Sequence, residues 1–385
     1  MKVKVAIFTG TRAEYGLLHS LMSDVKASAR LQLQVVVGGM HLSPEFGDTW
    51  KDIERDGFPI DAKVEMLLSS DSDVGVVKSI GVGILGFADA LDRLRPDVLV
   101  VLGDRFEALA IVQSALIMKI PVAHLHGGEV TEGAYDDAIR HAISKLSYLH
   151  FVSAEPYRQR VIQLGESPDR VFNVGAIGID HLKRTPLMGR DELSESLQFD
   201  LSSPFFLVTY HPVTLAEESP ELSFKALLEA LNRFPEHKVI ITYPNADNGG
   251  RAIIPMLEAY AQQSAGRVLA IPSLGFKRYL SVVALADAVV GNSSSGIIEV
   301  PSFHVPTVNI GVRQKGRLAA KSVFDCKPEV EAIVGALRHV LTADFELLCQ
   351  SVVNPYGCGD ASKQIVNALE RFQPVTIVKP FYDLS

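Results

Sequence analysis

Residues 98–129 read VLVVLGDRFEALAIVQSALIMKIPVAHLHGGE, a pattern that points to one class of fold. It opens on an apolar run at 98–102, turns at Gly103-Asp104-Arg105, and continues through 106–118 with apolar residues at three- and four-residue spacing. A second apolar run at 122–125 then ends in His126-Gly127-Gly128-Glu129. Such a sequence is a strand feeding a helix that feeds a strand. The runs are apolar throughout rather than at alternate positions, so both faces of the sheet are expected to be covered, as in a parallel sheet. Working outward, β-branched runs recur at 3–8, 33–37, 150–152 and 171–174, with a helical pattern at 138–146. The first half is therefore expected to be a doubly wound α/β domain.

After Asp180 the chain turns polar and broken, HLKRTPLMGRDELSESLQFDLSSP at 181–204, before a second series of runs at 205–209, 239–243, 268–271, 288–290 and 307–310. A domain junction is expected there. The stretch 360–372 reads as an amphipathic helix, with Ile365, Val366, Leu369 and Phe372 on its apolar side. The expected division is 1–185, 186–365 and a tail at 366–385 that packs back on the first domain. Two α/β lobes imply a cleft between them, with ligands at the carboxyl ends of strands.

Composition narrows the function classes. At 385 residues the chain is long enough for two to three domains of ~150 residues each. Apolar residues at 47% and charged residues at 21% exclude long disorder and collagen-like repeats. The formal charge of −8 gives no basic field for nucleic acid or an anionic membrane. Cys326, Cys349 and Cys358 form no CxxC pair, so a disulfide framework and a structural zinc site are not expected. The N-terminal apolar run ends at Gly10, too short for a secretory segment, and no run approaches the ~18 apolar residues of a membrane span. A cytoplasmic protein without a metal is expected.

The polar residues then fall at strand ends. Gly291-Asn292-Ser293-Ser294-Ser295-Gly296 follows an apolar run and opens a helix, a place where hydroxyls and backbone N–H groups favour phosphate. The alternative is that Ser294 or Ser295 is only an N-cap. Glu299, one turn further on, is placed to accept ribose hydroxyls, or forms a surface ion pair. Residues 10–16 lack the GxGxxG fingerprint, which disfavours a dinucleotide, but they offer Arg12 to a diphosphate, with Arg313 after 307–310 as a second arginine. Arg105 beside Asp104 and Asn245 after 239–243 lie at equivalent positions. Asp104, Glu129, Asp136 and Asp137 are the candidate proton-transfer groups, since carboxyls sharing one sheet mouth raise one another's pKa and so provide both an acid and a base. Asp136 as an N-cap and Asp137 as a partner of Arg140 is the structural alternative. His211, at the tip of the run 205–209, is expected to face them.

Taken together, GTRAEYGLL (10–18), GDRFEAL (103–109), HGGEVTEGAYDDAIRHAISKLSYLH (126–150), HPVT (211–214), GNSSSGIIEVP (291–301) and NIGVRQKGR (309–317) resemble the UDP-N-acetylglucosamine 2-epimerases over essentially the whole chain. The resemblance is to the hydrolysing branch, which makes N-acetylmannosamine for sialic acid synthesis. It implies a GT-B architecture of two Rossmann-like lobes, no cofactor, and a homodimer or homotetramer. Position by position it implies Arg12 at phosphate; Asp104, Glu129 and Asp136 or Asp137 as catalytic carboxylates; and His211 at the diphosphate or sugar. Ser294, Ser295, Gly296 and Glu299 would hold UDP with Arg313 beside the phosphates. Relatives with similar motifs act on UDP-2,4-diacetamido-2,4,6-trideoxyglucose in legionaminic acid synthesis, which is the alternative substrate. The non-hydrolysing branch usually reads HVEAGLR where this chain has HLHGGEV. A GT-B glycosyltransferase and an inactive nucleotide-sugar sensor are the readings from other classes.

Overall fold

A computed structural model describes residues 2–68, 72–130, 135–211, 219–244, 250–373 and 377–384. The chain divides into two compact units, Met1–His181 with Tyr356–Ser385, and Leu182–Pro355. The first holds strands β1 (Val3–Thr9), β2 (Leu31–Gly38), β3 (Ala62–Val64), β4 (Val98–Leu102), β5 (Val122–Leu125), β6 (Leu149–Val152) and β7 (Val171–Asn173). They form one sheet in the order β3-β2-β1-β4-β5-β6-β7, and every pairing is parallel. The second unit holds β8 (Phe205–Thr209), β9 (Lys238–Thr242), β10 (Val268–Ile271), β11 (Ala288–Gly291), β12 (Thr307–Ile310) and β13 (Val323–Cys326). Their order is β10-β9-β8-β11-β12-β13, again all parallel. Both units are Rossmann-like, as the sequence led us to expect.

The continuous apolar runs become strands because helices cover both faces. Val98, Leu99, Val100 and Val101 of β4 are all fully buried; Val98 and Val100 pack into one cluster with Leu18 and Leu21, Leu99 and Val101 into another with Phe87 and Ile111. Each such side chain contributes about 1.5–3 kcal/mol by leaving water. The helix Ala361–Arg371 puts Ala361, Ile365 and Leu369 into the first of these clusters, so residues near the carboxyl end complete the core of the amino-terminal unit.

The longest helix, Asp73–Leu94, was not anticipated. Among the described residues its length and hydropathy would suffice to cross a bilayer, yet Phe87, Ala90 and Leu91 are buried against β2 and β4 residues. The edge strands β3 and β13 also went unread. Ala62-Lys63-Val64 buries only its first and third residues, and all of β13 stays at least partly accessible, so neither shows the continuous burial of an inner strand.

Candidate active site

In the first sheet the strand order reverses between β1 and β4, the point at which open α/β sheets take ligands. Beyond β1 the helix Arg12–Ala27 begins with a capping box: Thr11 Oγ1 accepts the Glu14 N–H at 3.2 Å, and Glu14 Oε2 accepts the N–H groups of Gly10 at 2.7 Å and Thr11 at 3.2 Å. Arg12 is exposed at the first helical position. Beyond β4, Arg105 precedes the helix Phe106–Ile117, and its guanidinium grips the fully buried Glu107 through Nε at 3.1 Å and Nη2 at 2.9 Å. Burial pushes the Glu14 carboxyl up to about 7, with Gly10 N–H and Arg105 opposing and the Glu107 charge adding. Glu14 is therefore biased toward its protonated form.

The helix Tyr135–Leu146 brings the remaining charges to β4. Arg140 donates to Asp104 Oδ2 by a short contact, and its Nη1 lies 3.6 Å from Asp137 Oδ1. Asp137 Oδ2 also lies 3.4 Å from His141 Nε2. The Asp136 carboxyl is raised by burial and by the Asp104 charge, while Arg105 and Arg140 pull it down. Asp104 thus carries an ion pair while Asp136 is biased toward its acid form, the split that lets carboxyls serve as base and acid together. The turn holding Asp104 is itself fixed. His124 donates from Nε2 to the Gly103 carbonyl at 2.7 Å, and burial lowers its pKa to about 3, so it is neutral at any working pH.

Glu129, beyond β5, forms a separate group. It is buried, accepts the Ser153 hydroxyl at 2.7 Å, and lies 3.0 Å from His126 Nδ1. The Ile177 N–H donates to His126 Nε2 at 3.3 Å, which leaves the imidazole proton on Nδ1, facing the carboxylate. Gly128 is obligatory in this turn: its φ is +77°, and a Cβ would strike the Tyr157 carbonyl.

In the second sheet the order reverses between β8 and β11. His211 follows β8 and Asn292 follows β11, and the two are joined by a double clamp, His211 N–H to Asn292 Oδ1 at 2.7 Å and Asn292 Nδ2 to the His211 carbonyl at 2.8 Å. Arg313 Nη1 at 3.0 Å and Gln314 Nε2 at 2.8 Å both donate to the Asn292 carbonyl. The approach of β11 to β8 needs Gly291, whose φ is +137° and whose Cβ would run into the Thr209 carbonyl. Ser293 is the N-cap of the short helix Ser294–Ile298, ahead of both Ser294 and Ser295, the serines suggested for that task. Ser294 and Ser295 occupy its first turn; Ser295 Oγ accepts the Tyr279 hydroxyl at 2.7 Å, and the Gly296 carbonyl accepts from Thr307 Oγ1 at 2.9 Å. Burial raises the Tyr279 phenol and the adjoining Glu299 charge adds to it, so it stays a donor.

Of the candidates, Asp104, Asp136 and Asp137 gather around Arg140, Arg105 joins the Glu14–Glu107 pair, and Glu129 stands with His126 and Ser153. His211, Ser293 and Arg313 meet around Asn292, and Ser295 and Glu299 adjoin Tyr279. Asn245 lies outside the described residues. Glu14, Glu107 and Gln314 have no role in the sequence reading, although Thr11-x-x-Glu14 carries the capping-box signature, and Arg140, expected only as a partner of Asp137, also holds Asp104. Among the described residues no group of three or more His, Cys, Asp or Glu is placed to hold a metal ion.

A family model described as UDP-N-acetylglucosamine 2-epimerase matches residues 23–370. The chain is 41% identical over 345 residues to the GDP/UDP-N,N'-diacetylbacillosamine 2-epimerase (hydrolyzing) of Campylobacter jejuni, covering 90% of this chain and 89% of that one. It is 36% identical over 367 residues to the UDP-N,N'-diacetylbacillosamine 2-epimerase (hydrolyzing) of Legionella pneumophila, covering 95% of both. The fold is similar to the crystal structure of Neisseria meningitidis UDP-GlcNAc 2-epimerase bound to UDP-GlcNAc, with a TM-score of 0.76, 20% identity, and coverage of 95% and 99%.

Proposed function

The chain belongs to the UDP-N-acetylglucosamine 2-epimerase family, and we propose that it is a hydrolysing 2-epimerase that converts a UDP-2-acetamido sugar and water into UDP and the free 2-epimer. The observation that carries this is the set of carboxyls held at the β1/β4 switch point by two arginines, with Asp136 and Glu14 raised and Asp104 ion-paired.

The C2 hydrogen of such a sugar is not acidic, so the C1–O bond to UDP must weaken first. As it breaks, C1 gains oxocarbenium character, a carboxylate takes the C2 proton, and the C2–H electrons become the C1=C2 double bond of a 2-acetamidoglycal. Water then adds its oxygen to C1 while a proton returns to C2 on the opposite face. A base and an acid near neutral pH are both needed, and Asp104, Glu129, Asp136 and Asp137 are the groups proposed for these transfers. Departing UDP needs donors and cations. Ser294, Ser295 and Gly296 are proposed for the phosphates with Arg313 and His211, Glu299 for the ribose, and Arg12 and Asn245 for further contacts.

UDP-N-acetylglucosamine, giving N-acetylmannosamine for sialic acid synthesis, is one substrate of this description. UDP-2,4-diacetamido-2,4,6-trideoxyglucose is the second reading, supported by the names of the two hydrolysing relatives. Incubating the enzyme with each sugar in deuterium oxide, without an acceptor, tests the proposal. UDP and a free 2-epimer should appear in equal amounts, with deuterium at C2. Retained C2 hydrogen would mean simple glycoside hydrolysis, and an intact UDP-linked epimer would mean the non-hydrolysing reaction.

A further inference from the structure

The helix Tyr135–Leu146 carries Asp136, Asp137 and Arg140, and its carboxyl end is held by a residue more than two hundred positions further along the chain. Lys379 Nζ donates to three oxygens there: the Lys145 carbonyl at 2.8 Å, the Ser147 carbonyl at 2.5 Å and the Glu166 carboxylate at 2.7 Å. An ammonium has three N–H bonds, and each finds an acceptor. The last carbonyls of a helix have no partner within it and favour a cation, so Lys379 supplies both the donor and the charge that this end calls for.

The residues around Lys379 are built to receive it. Glu166, fully buried, also accepts from Lys145 Nζ at 2.9 Å and lies 3.1 Å from His150 Nε2. The Tyr382 N–H donates to the Gly165 carbonyl at 3.0 Å, and one face of the Phe381 ring takes the space that a side chain at Gly165 would fill. Lys145 Nζ lies 4.6 Å from the centre of that ring. The segment 377–384 is thus docked by charge, by backbone pairing and by a ring contact at one place.

From that place two routes lead back to the carboxylates. Ser144 Oγ lies 3.1 Å from His124 Nδ1, and His124 Nε2 holds the Gly103 carbonyl at 2.7 Å, so the last turn of the helix helps to fix the turn that presents Asp104. Arg140, one turn earlier on the same helix, reaches Asp104 directly. Asp136 lies nine residues before Lys145, about 14 Å along the axis, and a rigid element passes a shift at one end to the side chains at the other.

We propose, resting on the 2-epimerase function above, that the segment 377–384 is a latch on this helix and that Lys379 is a positioning residue for the reaction. By fixing the carboxyl end of Tyr135–Leu146 it sets where Asp136, Asp137 and Arg140 stand relative to Asp104. Proton transfer is sensitive to misplacement of about 1 Å, so loss of the latch slows the chemistry. Substrate binding is spared, because none of the groups proposed to hold UDP lies on this helix.

The test compares Lys379→Met, and a chain ending at Gln373, with the wild type on a UDP-sugar that the wild type turns over. Each should lower kcat by about tenfold or more, with KM and the Kd for UDP within about twofold of the wild type. Amide hydrogen exchange should quicken across 135–147 and stay unchanged in β1 and β4. Phe381→Ala, at an exposed position that leaves the buried Glu166 untouched, should show the same pattern at about threefold, whether or not the stronger changes fold. Unchanged kcat in the folded variants, a loss that appears in KM alone, or exchange that rises equally throughout the first sheet would overturn the inference and leave the 2-epimerase reading standing. A wild type that releases UDP from neither sugar nucleotide would remove that reading, and the inference with it.

Discussion

At the scale of single residues, the charges of the first unit divide by environment rather than by type. Asp104 faces Arg140, and Glu129 faces a histidine proton and a serine hydroxyl. Replacing either carboxylate by its amide keeps the shape and removes the proton transfer, so Asp104→Asn and Glu129→Gln should each lower turnover by about 10²–10⁴. UDP affinity, measured by calorimetry, should hold in both, because neither Asp104 nor Glu129 is among the groups proposed to hold UDP. Normal turnover in one variant would take that residue out of the chemistry. Glu14 makes a pH prediction. Its pKa rises from 4.5 to about 7 on folding, so between these values the native chain binds the extra proton and stability falls as pH increases. Glu14→Gln still offers an acceptor to the Gly10 N–H but cannot titrate. The difference in melting temperature between variant and wild type should therefore change from pH 4.5 to pH 7 in favour of the variant, then level off. A constant difference across that range would show that Glu14 does not titrate there.

At the scale of elements, the helix Ala361–Arg371 is capped from a distant part of the chain. Its own N-cap residue, Asp360, makes no side-chain cap, and Asp180 instead accepts the Ala361 N–H at 2.9 Å and the Ser362 N–H at 2.7 Å. Removing this buried carboxylate leaves two donors without their acceptor, so Asp180→Ala should cost about 2–3 kcal/mol in denaturant unfolding, and Asp180→Asn less, since one acceptor remains. Equal stability of Asp180→Ala and wild type would refute the cap. This example also shows how far the sequence could be read. The helix was visible as a pattern of apolar residues, and the inner strands as unbroken apolar runs, because each signal is local. The cap was not visible, because its partner lies far away in the chain. The helix Asp73–Leu94 stayed hidden for a related reason: Gly75, Gly81, Gly83 and Gly86 argue against a helix locally, and packing outweighs that. Likewise the strand ends point to Asp104 and His211, whereas the clamp of Asn292 on His211 and the reach of Arg140 to Asp104 appear only once the fold brings them together.

At the scale of the whole molecule, the chain starts the first unit, makes the second, and comes back to finish the first. The return is anchored twice. Ile365 and Leu369 fill the first unit's core, and further on Lys379 reaches the buried Glu166 at 2.7 Å, beside Lys145 at 2.9 Å and His150 at 3.1 Å. Burial alone would raise Glu166, but these partners outweigh it and hold the carboxyl at about 2. Its contribution to stability is thus present above its ordinary value of 4.5 and lost as pH falls toward 2. Truncation after Pro355 should therefore act on one unit and spare the other. Amide hydrogen exchange should speed up across β1, β4 and the helix Arg12–Ala27, which lose the Ile365 and Leu369 packing, while β8 and β11 keep their protection because their core comes wholly from 182–355. UDP added to the truncated chain should further slow exchange at Asn292 and in Ser294–Ile298, since the groups proposed to hold it are all retained there. Equal loss of protection in both sheets, or UDP protection that vanishes with the tail, would show that the second unit depends on the returning segment.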